Sequence, residues 1–466
     1  MQVQHRGKRS PGRRLAPTRL VGFLAGLSVV AQGLIGCEGK QPQVAAAQQT
    51  YVIRLAAPPG EAAAKGAKTG PQAFENFAQI PEGLGVCIHF RGAPRDELAR
   101  IAQAGFKIVR TDMRWNEVER TRGVYDFARS KHDAQVNAMV KLGLRPLYIL
   151  DYNNRLYRPD LPKGRSKVEA GIGSSEERQA FARYASAAAK RYAGKGVLWE
   201  IWNEPNHPKF WGPEPNAAGY VALVRAVSKV IRESDPGALI LGPALSQIPF
   251  DWIQKVLELG LLRYIDGFTV HPYRGTSPET VADDYRRLRS LLSKYALPGR
   301  GAVPILSGEW GYSLVSYRGN DLSEHEQADY AIKSFWSNIA AGIPVSLWYD
   351  WRRGADKQDR FENFGLTTST GASTRTLSAL SALMKHFEGF RFSHRVSMPN
   401  PDDHALVLAK GTQQALVLWT RSFSAPHRVR IERPAKVVRD SLGRRVVTTD
   451  RAQWVQITNE PRYYFF

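Results

Sequence analysis

The chain has 466 residues, of which 43% are hydrophobic and 23% are charged, and it carries a formal net charge of +22. This composition excludes a disordered or fibrous chain, and the length allows one large strand-helix barrel together with a smaller module. The positive charge suits an acidic polysaccharide or a lipid surface, or serves solubility alone, whereas nucleic acid is disfavoured because no zinc-finger spacing or RNA-binding aromatic motif is present.

Residues 1–37 have the layout of a bacterial secretory signal. Six basic residues precede the apolar run LVGFLAGLSVVAQGLIG. The following Cys37 completes a sequence that resembles the lipobox of bacterial lipoproteins, which predicts cleavage before Cys37 and its lipidation; the alternative is a simple signal that is cut nearby. Sec export is favoured, since the residues around Arg13 and Arg14 match a twin-arginine signal poorly. We therefore expect an exported, lipid-anchored protein of the periplasm or outer membrane.

Residues 38–79 are rich in Ala, Gln, Gly and Pro, which predicts a flexible tether. Within the tether, TYVIRLAA is a candidate strand that would pair with the C-terminal module. Cys87, in the apolar segment GLGVCIHF, is expected to be a buried hydrophobic side chain without a disulfide partner.

Eight strand-like apolar runs alternate with helical patterns between residues 80 and 388. The runs are GLGVCIHF, FKIVRTDM, RPLYILDY, VLWEIWN, ALILGPA, IDGFTVHPY, VPILSGEW and PVSLWYDW. This alternation predicts an α/β fold, the (β/α)8 TIM barrel, with its active site at the C-terminal ends of the strands. An open doubly wound sheet is the alternative, but no glycine-rich phosphate-binding sequence follows the first strand.

Polar residues collect at the C-terminal ends of the predicted strands. They are His89, Arg110, Asp112, Asp151, Tyr152, Asn153, Asn203, Glu204, His271, Tyr273, Glu309, Trp348 and Asp350. Each alone has a structural explanation, such as capping a helix, but their convergence on one rim favours function. Glu204 follows strand four and Glu309 ends strand seven. Two carboxylates in these places can provide the separation of about 5 to 5.5 Å that a retaining glycosidase needs.

The motifs WNEP with Glu204, HPY with His271 and Tyr273, and SGEWG with Glu309 resemble the retaining glycoside hydrolases of clan A. The chain is most similar to family 39 and the cellulase-like family 5, and within that group to the Psl-type glycosidases of bacterial exopolysaccharide synthesis systems. The resemblance implies a retaining O-glycosyl hydrolase that cleaves exopolysaccharide by double displacement. It implies no metal or organic cofactor.

The resemblance also assigns roles to the rim residues. Glu204 would be the acid/base and Glu309 the nucleophile. Asn203 would hydrogen-bond the sugar 2-hydroxyl, a contact that strengthens in the transition state. Tyr273 would contact the nucleophile, and His271 would line the same wall.

The remaining substrate-binding residues are expected around this pair. Arg110 would keep Glu309 ionised by its positive charge. Trp348 is the favoured platform for a sugar ring, and Asp350 follows it at the eighth strand. Trp211 would form the base of a sugar-binding subsite unless its loop packs on itself. Trp202 is expected in the core.

Residues 389–466 contain short strands separated by turns, which predicts a β-sandwich accessory domain packed against the barrel. Structural support is favoured over independent glycan binding, and a monomer is expected. The alternative function for the whole chain is a non-catalytic carbohydrate-binding protein of a polysaccharide assembly or export system. The two glutamates favour the enzyme, because a binding protein does not need a paired acid and nucleophile.

Overall fold

The computed structural model describes residues 51–55, 72–94, 96–161, 169–316, 321–422, 426–447 and 453–466. The predicted signal peptide, the lipidation site at Cys37 and most of the predicted tether lie outside these described residues. None of the helices within the described ranges combines the length and apolar character needed to cross a bilayer.

Eight parallel strands close into a barrel. The first strand of the chain, β1 (Val52–Ile53), lies outside this barrel. The barrel strands are β2 (Leu84–Cys87), β3 (Ile108–Arg114), β4 (Arg145–Asp151), β5 (Leu198–Ile201), β6 (Leu239–Ser246), β7 (Gly267–His271), β8 (Ile305–Trp310) and β9 (Ser346–Trp348). Each strand pairs with the next one along the chain, and β9 pairs with β2 to close the sheet. The predicted TIM barrel and its eight strands are confirmed.

Helices surround this barrel. Those within the described residues are α1 (Glu97–Gln103), α2 (Trp115–Val118), α3 (His132–Lys141), α4 (Ser175–Arg191), α5 (Ala217–Ser234), α6 (Phe250–Glu258), α7 (Val281–Lys294), α8 (Glu324–Ala340) and α9 (Arg375–His386). Short 3-10 helices lie at Gln72–Phe74, Asn76–Ala78, Leu261–Arg263, Pro278–Thr280 and Arg360–Glu362. Ser174 and Ser323 each form a capping box with the glutamate three residues later, which defines where α4 and α8 begin.

The sequence analysis did not identify α9, which follows the eighth barrel strand and packs on α8. The side chain of Thr374 accepts a hydrogen bond from the Leu377 backbone N–H and caps this helix. Leu377, Leu380 and Leu383 are buried on its inner face. The sequence TRTLSALSALMKHF therefore already contained leucines three residues apart, a spacing that is typical of a helix with one buried face.

Part of the predicted tether is folded. Residues 72–79 form two 3-10 helices, and Phe74 and Phe77 are buried with inward-facing residues from the starts of the strands, including Leu147 and Leu306. The segment therefore closes the N-terminal end of the barrel, and the predicted boundary at residue 80 is too late. The two phenylalanines explain the difference, because burying each large ring stabilises the fold by about 1.5–3 kcal/mol whatever the average composition around it.

The C-terminal strands form two further sheets. They are β10 (Arg391–Val396), β11 (Asp403–Lys410), β12 (Gln413–Thr420), β13 (His427–Ile431), β14 (Val437–Arg439), β15 (Trp454–Ile457) and β16 (Arg462–Phe465). One sheet has the order β10-β11-β12-β16-β14, and the other has the order β1-β13-β15. The two sheets share one apolar core that includes Ile53, Leu416 and Ile457. The predicted strand in TYVIRLAA thus exists and pairs with the C-terminal module.

This sandwich packs against the barrel through aromatic and polar contacts. The ring of Phe387, just after α9, lies 5.2 Å from the ring of Phe465. The Trp419 indole N–H donates to Glu279 at 2.6 Å, which links β12 to the barrel side of the interface. These contacts agree with a supporting role for the accessory domain.

His132 at the start of α3 makes the fold sensitive to acid. Its ring is fully buried, edge-on to Tyr148 at 5.5 Å, and neither ring nitrogen has a hydrogen-bond partner within the described residues. Burial lowers the pKa of His132 to about 3. Because the unfolded chain binds this proton near pH 6.5, the contribution to stability is complete above that pH and is lost as the pH falls towards 3.

We predict that His132→Phe flattens the dependence of stability on pH. Between pH 6.5 and 5 the wild type should lose up to about 2 kcal/mol more unfolding free energy than the variant, as measured by urea unfolding. His325→Gln, at an exposed histidine of α8, is the control and should keep the wild-type slope. Parallel losses in wild type and His132→Phe would contradict this explanation.

Candidate active site

The C-terminal end of the barrel brings the predicted site residues together. Arg110 lies in β3, His271 ends β7, and Glu309 lies near the end of β8. Asn203 and Glu204 come shortly after β5. They converge because all strands of a parallel barrel point the same way and end at one rim.

The guanidinium of Arg110 is the centre of this cluster, and the residue is only 3% exposed. Its Nε donates to Glu200 Oε2 at 2.7 Å, and its Nη1 donates to Glu309 Oε2 at 2.9 Å. Its Nη2 donates to Asn203 Oδ1, also at 2.9 Å. Burial alone would lower the pKa of Arg110, but the charge of Glu200, followed by those of Cys87 and Glu309, raises it well above its ordinary value. Arg110 is therefore a fixed positive charge.

Both carboxylate oxygens of Glu309 have partners. Arg110 binds Oε2, and the hydroxyl of Tyr273 donates to Oε1 at 2.7 Å. The side chain of Glu309 is 13% exposed, so one part of it still reaches the cleft. The guanidinium and the hydroxyl together hold the carboxylate in one orientation.

Glu204 pairs with His271 instead. Oε1 of Glu204 lies 2.9 Å from Nδ1 of His271, and the histidine is fully buried. On the other side of the ring, Nε2 lies 3.4 Å from Nη2 of Arg110. Since a guanidinium only donates hydrogen bonds, Nε2 is the acceptor and Nδ1 carries the hydrogen that His271 donates to Glu204. This geometry assigns the tautomer of the ring.

Glu204, His271 and Glu309 offer side-chain atoms that all lie within 4.8 Å of one another. The group is compact enough for a metal ion, but the guanidinium bound to Glu309 opposes a second cation there. One oxygen from each glutamate is thus within 4.8 Å of the other. Carboxyl groups lie about 5–5.5 Å apart in retaining glycosidases and about 6.5–9.5 Å apart in inverting ones, so the pair has the closer spacing.

Residues 84–353 match the family model described as Cellulase (glycosyl hydrolase family 5), which is more than half of the chain. The chain belongs to glycosyl hydrolase family 5. This confirms the predicted clan A glycoside hydrolase.

Other comparisons found proteins that are similar to parts of the sequence or to the fold. A β-xylosidase from Geobacillus stearothermophilus is 29% identical over 90 residues, which are 19% of this chain and only 18% of the xylosidase. A family 39 glycoside hydrolase from Bacteroides cellulosilyticus WH2 has a similar fold, with a TM-score of 0.69 and 21% identity over 83% of this chain and 81% of that one. A family 39 β-xylosidase from Caulobacter crescentus gives a TM-score of 0.61 and 17% identity, over 83% and 97% of the two chains.

In this family 5 member, Asp350 is close enough to Glu309 to respond to its charge. Burial, and then the charge of Glu309, raise the pKa of Asp350 well above its ordinary value. Its Oδ2 lies 3.5 Å from Nε2 of His89, whose side chain is half exposed at the rim. Asp350 therefore favours the protonated form and does not add a second negative charge beside Glu309.

A second charged cluster lies at the ends of β3 and β4. Asp151 is fully buried, and within the described residues its carboxyl oxygens have no hydrogen-bond partner. Burial, and then the charge of Asp112, raise the pKa of Asp151 well above its ordinary value. For Asp112 burial alone would also raise the pKa, but the charges of Arg91 and Arg114 lower it below its ordinary value. The two neighbouring carboxyls therefore differ in protonation.

Two tryptophans predicted to bind substrate are buried instead. Trp348 is 1% exposed, and its indole N–H donates to the Phe364 carbonyl at 3.1 Å. Trp211 is 3% exposed and packs against Trp202, with the ring centroids 5.0 Å apart. Trp348 therefore does not present its ring to the cleft, and for Trp211 the stated alternative of a loop packed on itself holds, because a tryptophan near a strand end faces either the cleft or the layer beneath it. Trp202 itself lies in the core, as predicted.

Arg110 contacts Glu309, as its expected electrostatic role requires, but it is not free to bind substrate as its place among the substrate-binding residues implied. Each of its guanidinium nitrogens is already bound to a protein group, so it positions Glu309 and Asn203. The sequence analysis missed its partner Glu200, which is fully buried in β5. The signal was a glutamate inside the apolar strand LWEIW, where a charge requires a buried counter-ion.

We predict that Tyr273→Phe lowers kcat/KM by about 10- to 100-fold, because it removes one hydrogen bond to a charged carboxylate. Hydrolysis of aryl glycosides would measure the loss, and circular dichroism would verify the fold. Tyr295→Phe, at the C-terminal end of α7, is the control and should keep wild-type activity. Equal activity in Tyr273→Phe and wild type would show that the hydroxyl does not support Glu309.

Proposed function

We propose that this chain is a retaining O-glycosyl hydrolase that works by double displacement, with Glu309 as nucleophile and Glu204 as acid/base. The observation that carries the proposal is the spacing of the two glutamates, whose oxygens lie within 4.8 Å, together with their different partners. Glu309 binds a fixed cation and a hydroxyl, whereas Glu204 binds an imidazole. One environment suits a nucleophilic carboxylate and the other suits a group that exchanges a proton.

In the first step, an oxygen of Glu309 forms a bond to the anomeric carbon as the glycosidic C–O bond breaks. Glu204 transfers its proton to the departing oxygen, so that an alcohol leaves. Arg110 and the Tyr273 hydroxyl hold the attacking carboxylate in place, so little reorganisation is needed. The product of this step is a glycosyl ester of Glu309.

In the second step, Glu204 takes a proton from water, and the water oxygen attacks the anomeric carbon and releases Glu309. Formation of the ester has removed the negative charge of Glu309, which favours the ionised form of Glu204. His271, which donates to Oε1 of Glu204, then supports that ionised form. One carboxyl group thus serves as acid and then as base.

Asn203 is placed to bind the sugar. Its Oδ1 accepts from Arg110, so its amide N–H groups must point elsewhere. This orientation supports the expected contact between Asn203 and the 2-hydroxyl of the reacting sugar.

Substitution of each glutamate separates the two roles. Glu309→Gln should abolish hydrolysis of every substrate while polysaccharide binding is retained. Glu204→Gln should slow hydrolysis by about 10²- to 10⁴-fold with a poor leaving group, but much less with an activated aryl leaving group that needs no proton. Initial rates on paired substrates, with binding of an intact glycan measured in parallel, give both results.

A matched control is Glu214→Gln, at an exposed glutamate in the loop before α5, which should leave all rates unchanged. Equal loss on both leaving-group classes in Glu204→Gln would contradict its role as the acid. Binding by a wild-type chain that cleaves no glycan would favour the non-catalytic carbohydrate-binding function instead.

We propose a bacterial exopolysaccharide as the substrate. The motifs that resemble exopolysaccharide-associated glycosidases support this choice. The net charge, which is +22 for the whole chain and +16 without the six basic residues of the predicted signal, suits an acidic polymer. Two of the similar proteins named above are β-xylosidases, so xylan is the substrate to compare with it. Product analysis on a panel of bacterial exopolysaccharides and plant xylan would test the substrate, and cleavage of plant xylan alone would contradict it.

We propose that the chain is exported and anchored through a lipid on Cys37. The apolar run that ends at this cysteine supports the proposal. Cys37→Ser should move the protein from the membrane fraction to the soluble fraction and abolish labelling by a palmitate analogue. Unchanged fractionation and labelling would contradict the anchor.

A further inference from the structure

We propose that a basic groove on the outer surface of the barrel binds an anionic polysaccharide at a site separate from the catalytic carboxylates. This α5 groove has a volume of about 710 Å³. Its lining includes Arg178, Arg225, Lys229, Arg232, Arg263 and Tyr264. It extends from the first turn of α4, along α5, to the 3-10 helix after α6.

The lining of the α5 groove is charged with one sign. It contains five cationic side chains and no carboxylate. Two of these cations have partners, since Arg232 pairs with Asp266 and Arg178 donates to the Gly173 carbonyl. Arg225, Lys229 and Arg263 are exposed and make no ion pair with any other described residue. These three positive charges therefore have no carboxylate of the described residues within ion-pair distance.

The position of these charges on α5 is unfavourable for the helix alone. Arg225 and Lys229 are four residues apart and face the same side, where like charges destabilise a helix by about 0.2–0.5 kcal/mol. The opposite face of α5 is apolar and buried, with Val224, Val227 and Ile231 fully enclosed. Packing therefore determines the inner face only, and nothing in the fold requires cations on the outer one. An anionic ligand would offset their repulsion.

The shape of the groove favours a chain-like polyanion over a membrane. Surfaces that dock on bilayers present large apolar side chains beside their cations. The exposed large apolar residues among the described ranges lie outside the groove, whose own apolar side chains are Ala222 and Ala226 together with the ring of Tyr264. A concave surface with cations and one aromatic ring suits an acidic glycan, since pyranose faces stack on such rings.

The α5 groove lies on the helix layer, whereas Glu204 and Glu309 lie at the mouth of the barrel. It holds no pair of carboxyl groups, so a glycan bound there is retained without being cleaved. The inference goes beyond the proposed function and does not require catalysis. Its test must therefore be independent of hydrolysis.

The experiment measures binding of fluorescein-labelled polygalacturonate to the full chain carrying Glu309→Gln, by fluorescence anisotropy at low ionic strength. Adding Arg225→Glu and Lys229→Glu should weaken binding at least about tenfold, since the double change reverses two charges in the groove. The control adds Lys141→Glu and Lys294→Glu, two exposed lysines on α3 and α7, and should change the affinity less than twofold. Arg225→Ala with Lys229→Ala provides a second variant if the charge reversal disturbs folding.

Several results would overturn the proposal. Equal weakening in the groove and control variants would show a net-charge effect only, and no binding of polygalacturonate by the unaltered chain would exclude the polysaccharide. Tighter binding to phosphatidylglycerol vesicles or to duplex DNA at the same ionic strength would assign the groove to another partner. In the otherwise wild-type chain, the groove variant should still hydrolyse small aryl glycosides at the wild-type rate. Failure of the glycosidase reaction is therefore distinguished from failure of the groove.

Discussion

The buried charge of Arg110 is the constraint on which the active site depends. Taking a guanidinium and two carboxylates out of water costs several kcal/mol for each ion, and only close pairing repays that cost. Glu200 at 2.7 Å and Glu309 at 2.9 Å provide the pairing. Removing one partner would leave an uncompensated buried charge, at a cost of about 3–5 kcal/mol. The ion cluster therefore fixes β3, β5 and β8 relative to one another.

The surrounding parts of the fold shield this cluster from water and leave the rim of the barrel open. Phe74 and Phe77 close the N-terminal end, so the apolar layer below Arg110 is shielded from water. The sandwich covers the side of the barrel at α8 and α9 and leaves the C-terminal rim to the site. His271 connects the Arg110 cluster, which includes Glu309, to Glu204, because its ring contacts Arg110 on one side and Glu204 on the other. A single hydrogen-bond network thus holds both glutamates.

The barrel and the two glutamates could be predicted from sequence, because strand periodicity and strand order place Glu204 and Glu309 on one rim. The predictions failed where the position of a residue in the sequence does not determine the direction in which its side chain points. Trp348 and Trp211 are near strand ends yet face inward, and a one-dimensional pattern does not distinguish the two layers. Glu200 was missed because its partner Arg110 is 90 residues away in the sequence. Long-range pairing of this kind becomes visible only in the folded chain.

The central claim is that the closely spaced glutamates act by double displacement. The most direct test follows hydrolysis of the best aryl glycoside by proton NMR and records which anomer of the sugar forms first, before mutarotation. Two successive displacements at the anomeric carbon restore its configuration, so the account predicts that the first product has the same anomeric configuration as the substrate. First formation of the opposite anomer would contradict the account, because it requires direct attack by water.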